Sequence, residues 1–140
     1  MMTLSALYER IIADGISIDD VHTRELKAAS FPQGWILYDS TRFTSDRELK
    51  CVLAHEYGHC KTGSFYNIYS PYDLKEKCEY KANKYAVNLL MPYKEVWRAL
   101  HRGCWTVWAL ADCFDVTEDF AQMAINMYAD SLKGLNQFKN

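Results

Sequence analysis

Between Ser45 and Gly63 the chain carries one helical pattern, and inside it His55, Glu56 and His59 form an H-E-x-x-H string. Ser45 lies three residues ahead of Glu48, the spacing of a capping box, and Leu49, Val52 and Leu53 follow at helical intervals. The pattern predicts a helix running to about Thr62, with Gly63 closing it. On such a helix residues i and i+4 differ by ~40° around the axis and ~6 Å along it, so both imidazoles can reach one metal ion. Glu56 is turned ~100° from His55, near enough to touch a water on that metal without joining its ligands. Geometry separates two ligands from one base.

A catalytic zinc generally takes three protein ligands and leaves a fourth position to water. Thr62 and Phe65 stand where a metzincin carries glycine and histidine, so the third ligand lies further on. Glu79 belongs to the next helical pattern, and the intervening loop lets the chain return beside the first helix, a gluzincin-like arrangement. Asn83 shares the face of Glu79, where its amide oxygen can accept the free N–H of one ligand imidazole. Ala82 and Ala86 are small enough for the two helices to approach closely. Two histidines and a glutamate would also accept manganese, iron or cobalt.

The remaining pattern predicts an α+β fold, mostly helical, with a small early sheet. Leu4, Leu7, Tyr8, Ile11 and Ile12 mark a helix over residues 4–14. Leu26–Ser30 and Gly34–Tyr38 read as strands joined by a tight Phe-Pro-Gln-Gly connection. Asp73 and Glu76 suggest a second capping box for the Glu79 helix, which Pro92 stops, with residues 64–72 left as loop. Three helical patterns follow over residues 93–131: one from Pro92 to Gly103, then about 104–113 and 118–131, the last capped by Thr117. No repeat or linker divides the chain, so residues 1–140 are expected to be one domain.

Charge removes several classes of function. Sixteen basic residues against eighteen acidic ones give a net charge of -2, so no global field attracts nucleic acid or an anionic membrane. No apolar run approaches the ~20 residues of a membrane span, and Met1–Arg10 lacks a basic cluster followed by an apolar core. Five cysteines without a C-x-x-C pair argue against a disulfide framework and for a reducing cytoplasm.

The string His55 to His59, followed by Glu79-Tyr80-Lys81-Ala82-Asn83 and by Ala86-Val87-Asn88-Leu89-Leu90-Met91-Pro92, resembles the ImmA/IrrE metallopeptidase family over about residues 34–95. The resemblance implies a small cytoplasmic peptidase with one zinc ion per chain, often encoded by mobile elements or stress-response loci. Its implied substrate is a helix-turn-helix transcriptional repressor, here a separate protein. By the same correspondence His55, His59 and Glu79 are metal ligands, and Glu56 is the catalytic carboxylate that moves a proton from water to the leaving amine. The alternative is a metal-containing regulator that sequesters the repressor without cutting it. Direct nucleic-acid and membrane contacts are not expected; oligomeric state is open.

Weaker features yield further expectations. Gly34–Tyr38 is the candidate edge strand for an extended substrate. Tyr66, Tyr69, Tyr72 and Tyr93 are all candidates for an oxyanion donor. Cys51 reads as a small buried hydrophobe behind the site, Cys60 and Cys78 point off the ligand direction, and His22 has no evident partner. Neither His101 nor Cys104 has a matching second pair for a structural metal. Trp105, Trp108, Phe114 and Phe120 suit packing between the last two helices. From Cys104 to Ser131, Asp112, Asp115, Glu118, Asp119 and Asp130 occur without Lys or Arg, which disfavours DNA binding and reads as a solvated acidic face.

Overall fold

The computed structural model describes residues 1–22 and 25–132. Its elements run α1 (Leu4–Ala13), β1 (Ser17–Asp20), β2 (Ala28–Phe31), β3 (Trp35–Tyr38), α2 (Asp46–Thr62), α3 (Tyr72–Leu90), α4 (Tyr93–His101), α5 (Val107–Phe114) and α6 (Glu118–Tyr128), with a 3-10 turn at Ser40–Arg42. The fold is α+β, mostly helical, with the sheet early in the chain. Among the described residues no helix is long and apolar enough to cross a membrane.

The sheet has the order β1-β3-β2, with β1 parallel and β2 antiparallel to β3. β1 departs from the sequence expectation. Its Ser17, Asp19 and Asp20 are exposed, so it carries no apolar alternation, and pairing from Ser17↔Trp35 to Asp20↔Tyr38 holds it in place. Polar clasps reinforce it: Trp35 Nε1 donates to Asp19 Oδ2 at 2.7 Å, and the Ser40 N–H donates to Asp20 Oδ1 at 2.9 Å. With β1 on one side and β2 on the other, β3 is the central strand, which overturns its assignment as the substrate-binding edge.

Of the two outer strands, β2 is the one packed against α2. The Asp39 N–H donates to Lys27 O and the Gly34 N–H to Phe31 O, both at 3.0 Å, so the odd-numbered residues direct their backbone groups toward β3. Antiparallel pairing then turns the N–H and C=O of Ala28 and Ser30 outward. Gly34 closes the β2–β3 turn with φ +87°, a conformation that any Cβ would strain.

Helix ends follow local side chains. Ser45 Oγ accepts the Glu48 N–H at 3.2 Å, but the Glu48 carboxylate pairs with Lys27 and Thr44, so only half of the capping box forms. The expected Asp73–Glu76 box is absent: α3 starts after Pro71 with no side-chain cap, and Glu76 accepts from Tyr72 instead. α5 begins at Val107 rather than at residue 104, because Thr106 Oγ1 accepts the Ala109 N–H. Thr117 caps α6 as expected, although that helix ends at Tyr128 rather than at residue 131.

The core gathers Leu7 and Ile11 of α1, Leu53 and Tyr57 of α2, Val87 of α3, Leu100 of α4, and Leu110 and Phe114 of α5. Phe120 is buried with them, as its spacing predicts. Trp108 is not: it is 61% exposed, and Trp105 packs only at the core margin. Lys50 is 1% exposed within α2, its Nζ donating to Met2 O at 3.0 Å and Phe114 O at 3.1 Å and facing Asp115 Oδ2 at 3.5 Å. Three partners are what a buried ammonium needs.

Candidate metal centre

α2 packs along α3 more extensively than any other pair of elements. Gly58 allows the close approach: a Cβ there would lie 2.5 Å from Ala82 O and 3.0 Å from Ala82 Cα. Ala82 and Ala86 are fully buried, as their small size predicts. Gly58, inside the H-E-x-x-H string, is the partner that sequence reasoning missed.

This contact brings three donors together. His55 Nε2 lies 3.0 Å from Glu79 Oε2, His59 Nε2 lies 3.2 Å from Glu79 Oε1, and the two imidazole nitrogens are 3.1 Å apart. One ligand atom from each residue falls within 4.8 Å of the others, a group that can hold a metal ion. Tetrahedral zinc with Zn–N bonds of ~2.0–2.1 Å would separate two nitrogens by roughly 3.3 Å. The donor set fits that requirement.

The outer nitrogens of both rings face acceptors. His59 Nδ1 is 2.5 Å from the Ser64 carbonyl oxygen, which only accepts, so the proton sits on Nδ1. Gly63 ends α2 in the left-handed region at φ 64° and thereby folds Ser64 back beside His59. His55 Nδ1 lies 2.7 Å from Asn83 Oδ1, the contact expected from the face that Asn83 shares with Glu79. Both Nε2 lone pairs therefore face one another and a carboxylate. With both imidazoles neutral, three acceptors converge there, an arrangement that suits a cation.

Glu56 points into the same cleft, about 330 Å³ in volume, with Leu26, Ala29, Ser30, His59, Ser64, Phe65, Tyr66 and Glu79 on its walls. Ser30, from the open edge of β2, donates its hydroxyl to Glu56 Oε2 at 2.5 Å. No motif pointed to Ser30. Of the four candidate tyrosines only Tyr66 lines the cleft, and its hydroxyl donates to Glu79 Oε1 at 2.6 Å. That bond, with burial, pushes the Tyr66 phenol up to about 12. Tyr69 and Tyr72 are 88% and 71% exposed, and Tyr93 donates to Ser131 O.

The other candidates resolve as follows. Cys51 is buried against Thr117, and burial pushes its thiol up. Cys78 approaches Phe65 O, and burial beside Glu56 pushes the Cys60 thiol up to about 11. His101 stacks on Trp97 with ring centroids 3.6 Å apart. His22 does have a partner, Asp39 Oδ1 at 3.5 Å. The acidic set is not wholly solvated either, because Arg47 bonds Asp112 at 2.9 Å and Asp115 at 2.7 Å.

A family model, Peptidase_M78, described as the IrrE N-terminal-like domain, matches residues 15–126. The match extends well beyond the motif-bearing helices at both ends. Among curated proteins none matches the chain.

Proposed function

The chain belongs to the Peptidase_M78 family, and on that premise we propose that it is a zinc-dependent endopeptidase whose substrate is a helix-turn-helix repressor. One observation carries the chemistry: the three acceptors of His55, His59 and Glu79 converge with both imidazole Nδ1–H groups already committed to Asn83 and Ser64. A divalent metal bound there supplies Lewis acidity, which acidifies water and polarises a carbonyl.

The protein's own residues do the rest. Glu56, held by Ser30, accepts a proton from the attacking water and delivers it to the leaving amine. Tyr66 stands where its phenol, raised well above neutral pH, can donate to the carbonyl oxygen as charge develops on it. The outward N–H and C=O groups of Ala28 and Ser30 hold an extended substrate backbone across the cleft. The repressor as substrate rests on the ImmA/IrrE resemblance.

The test is to incubate the zinc-loaded protein with a repressor encoded beside it, with and without a chelator, and with Glu56→Gln in parallel. Defined fragments that vanish with chelator and with Glu56→Gln support the proposal. A stable intact complex points to sequestration, and full cleavage by a zinc-replete Glu56→Gln protein removes Glu56 from its role.

A further inference from the structure

We propose that Cys104 and Cys113 form a dithiol that closes to an intramolecular disulfide when the protein meets a peroxide. Their Sγ atoms lie 2.9 Å apart, Cys104 on the α4–α5 connection and Cys113 in the last turn of α5. A disulfide bond is ~2.05 Å long, so closure requires the sulfurs to approach by under ~1 Å. Cys113 is exposed and Cys104 half-buried, so an oxidant in solution reaches the pair. The other three thiols are placed differently. Cys51 is buried against Thr117, Cys78 is buried facing Phe65 O, and Cys60 is half-buried beside Glu56.

Cys113 also borders a cavity of about 440 Å³ shared with Met2, Leu90, Glu95, Arg102 and Phe114, where a small oxidant has room near a guanidinium. Cys113 is the exposed member of the pair and so the one that a peroxide meets first, with Cys104 half-buried behind it. The Cys113 thiolate attacks one oxygen of hydrogen peroxide, the O–O bond breaks, and the departing hydroxide takes up a proton to become water. Cys104 sulfur then attacks the sulfenic sulfur of Cys113, the S–O bond breaks, and a second water leaves with the Cys104 proton. Two thiols thus give two electrons to the peroxide. The new bond lies in the turn whose Asp112 and Asp115 grip Arg47 and whose Phe114 carbonyl takes Lys50. It is independent of the proposed peptidase reaction.

The experiment treats the folded, zinc-loaded 140-residue protein with a small excess of hydrogen peroxide, then alkylates the remaining thiols in denaturant and measures intact mass without reductant. We expect a loss of ~2 Da before alkylation, three alkylatable thiols in place of the five present in the reduced chain, and full reversal by a phosphine reductant. Trypsin leaves both cysteines in one peptide, so chymotryptic cleavage after Trp105 or Trp108 locates the cross-link. Cys104→Ser and Cys113→Ser should each abolish it, while the wild-type peptide map stands on its own if a variant fails to fold. Five alkylatable thiols after peroxide, a bond through Cys51, Cys60 or Cys78, a disulfide-linked dimer, or sulfinic acid on Cys113 with Cys104 still free would each overturn the proposal.

Discussion

Gly58 meets Ala82 so closely that an added Cβ would sit 2.5 Å from the Ala82 carbonyl oxygen. The obstacle is backbone, which a rotamer change cannot relieve. Helix propensity alone favours Gly58→Ala by ~1 kcal/mol, but overpacking at a helix crossing costs about 1–3 kcal/mol. We expect a net loss of stability in urea unfolding, and weaker zinc binding because α3 carries Glu79 away from both histidines. A variant as stable as the wild type with unchanged zinc affinity would contradict this account.

Asn83 touches His55 Nδ1 at 2.7 Å and lies on the far side of that ring from His59 and Glu79. Removing such a partner typically lowers metal affinity 10–100-fold, roughly. Asn83→Ala should show that loss in a chelator competition, whereas Asn83→Asp, which keeps an acceptor oxygen, should recover most of it.

Tyr66 should affect turnover more than metal binding. If its phenol stabilises developing negative charge, Tyr66→Phe lowers kcat by roughly 10²–10³ with KM near wild type, and the lost bond to Glu79 Oε1 adds a smaller fall in zinc affinity. Tyr69→Phe, at a residue 88% exposed, serves as the control and should leave kcat unchanged.

Acid should weaken the junction between α2 and α5. Hydrogen bonding from Arg47 holds the Asp115 carboxyl below its ordinary value of 3.8, with Lys50 adding attraction. A depressed carboxylate stabilises the fold fully above its unfolded value and loses that contribution as pH falls through the folded value. Asp115 occupies the left-handed region at φ 52°, which asparagine also tolerates, so Asp115→Asn removes charge without backbone strain. The variant should be less stable near neutral pH by about 1 kcal/mol, as for solvent-screened pairs. Its stability should begin to approach that of the wild type as pH falls below ~4 and meet it only below the depressed folded value of Asp115.

Much of the site was legible because its information is local. Ser45, Gly63 and the histidine spacing define α2, and Glu79 with Asn83 follows from one face of α3. What escaped depends on partners distant in the chain. β1 has no pattern of its own and exists through Trp35–Tyr38, so without it β3 reads as an outer strand. Ser30 joins Glu56 across 26 residues, and ten tyrosines gave no means of choosing Tyr66 until the loop after α2 was placed. Trp108 misled because helical spacing records a face without saying whether anything covers it.

The rim that Ala28 and Ser30 present is only two residues' worth of amides and carbonyls. If the proposed substrate pairs there, such a rim would gauge the outline of an incoming chain and ignore the letters along it. A coiled segment would first have to be pulled straight before it could lie there. For a largely helical target, the readiness of a stretch to unravel would then matter more than its amino-acid identity in deciding where it is severed.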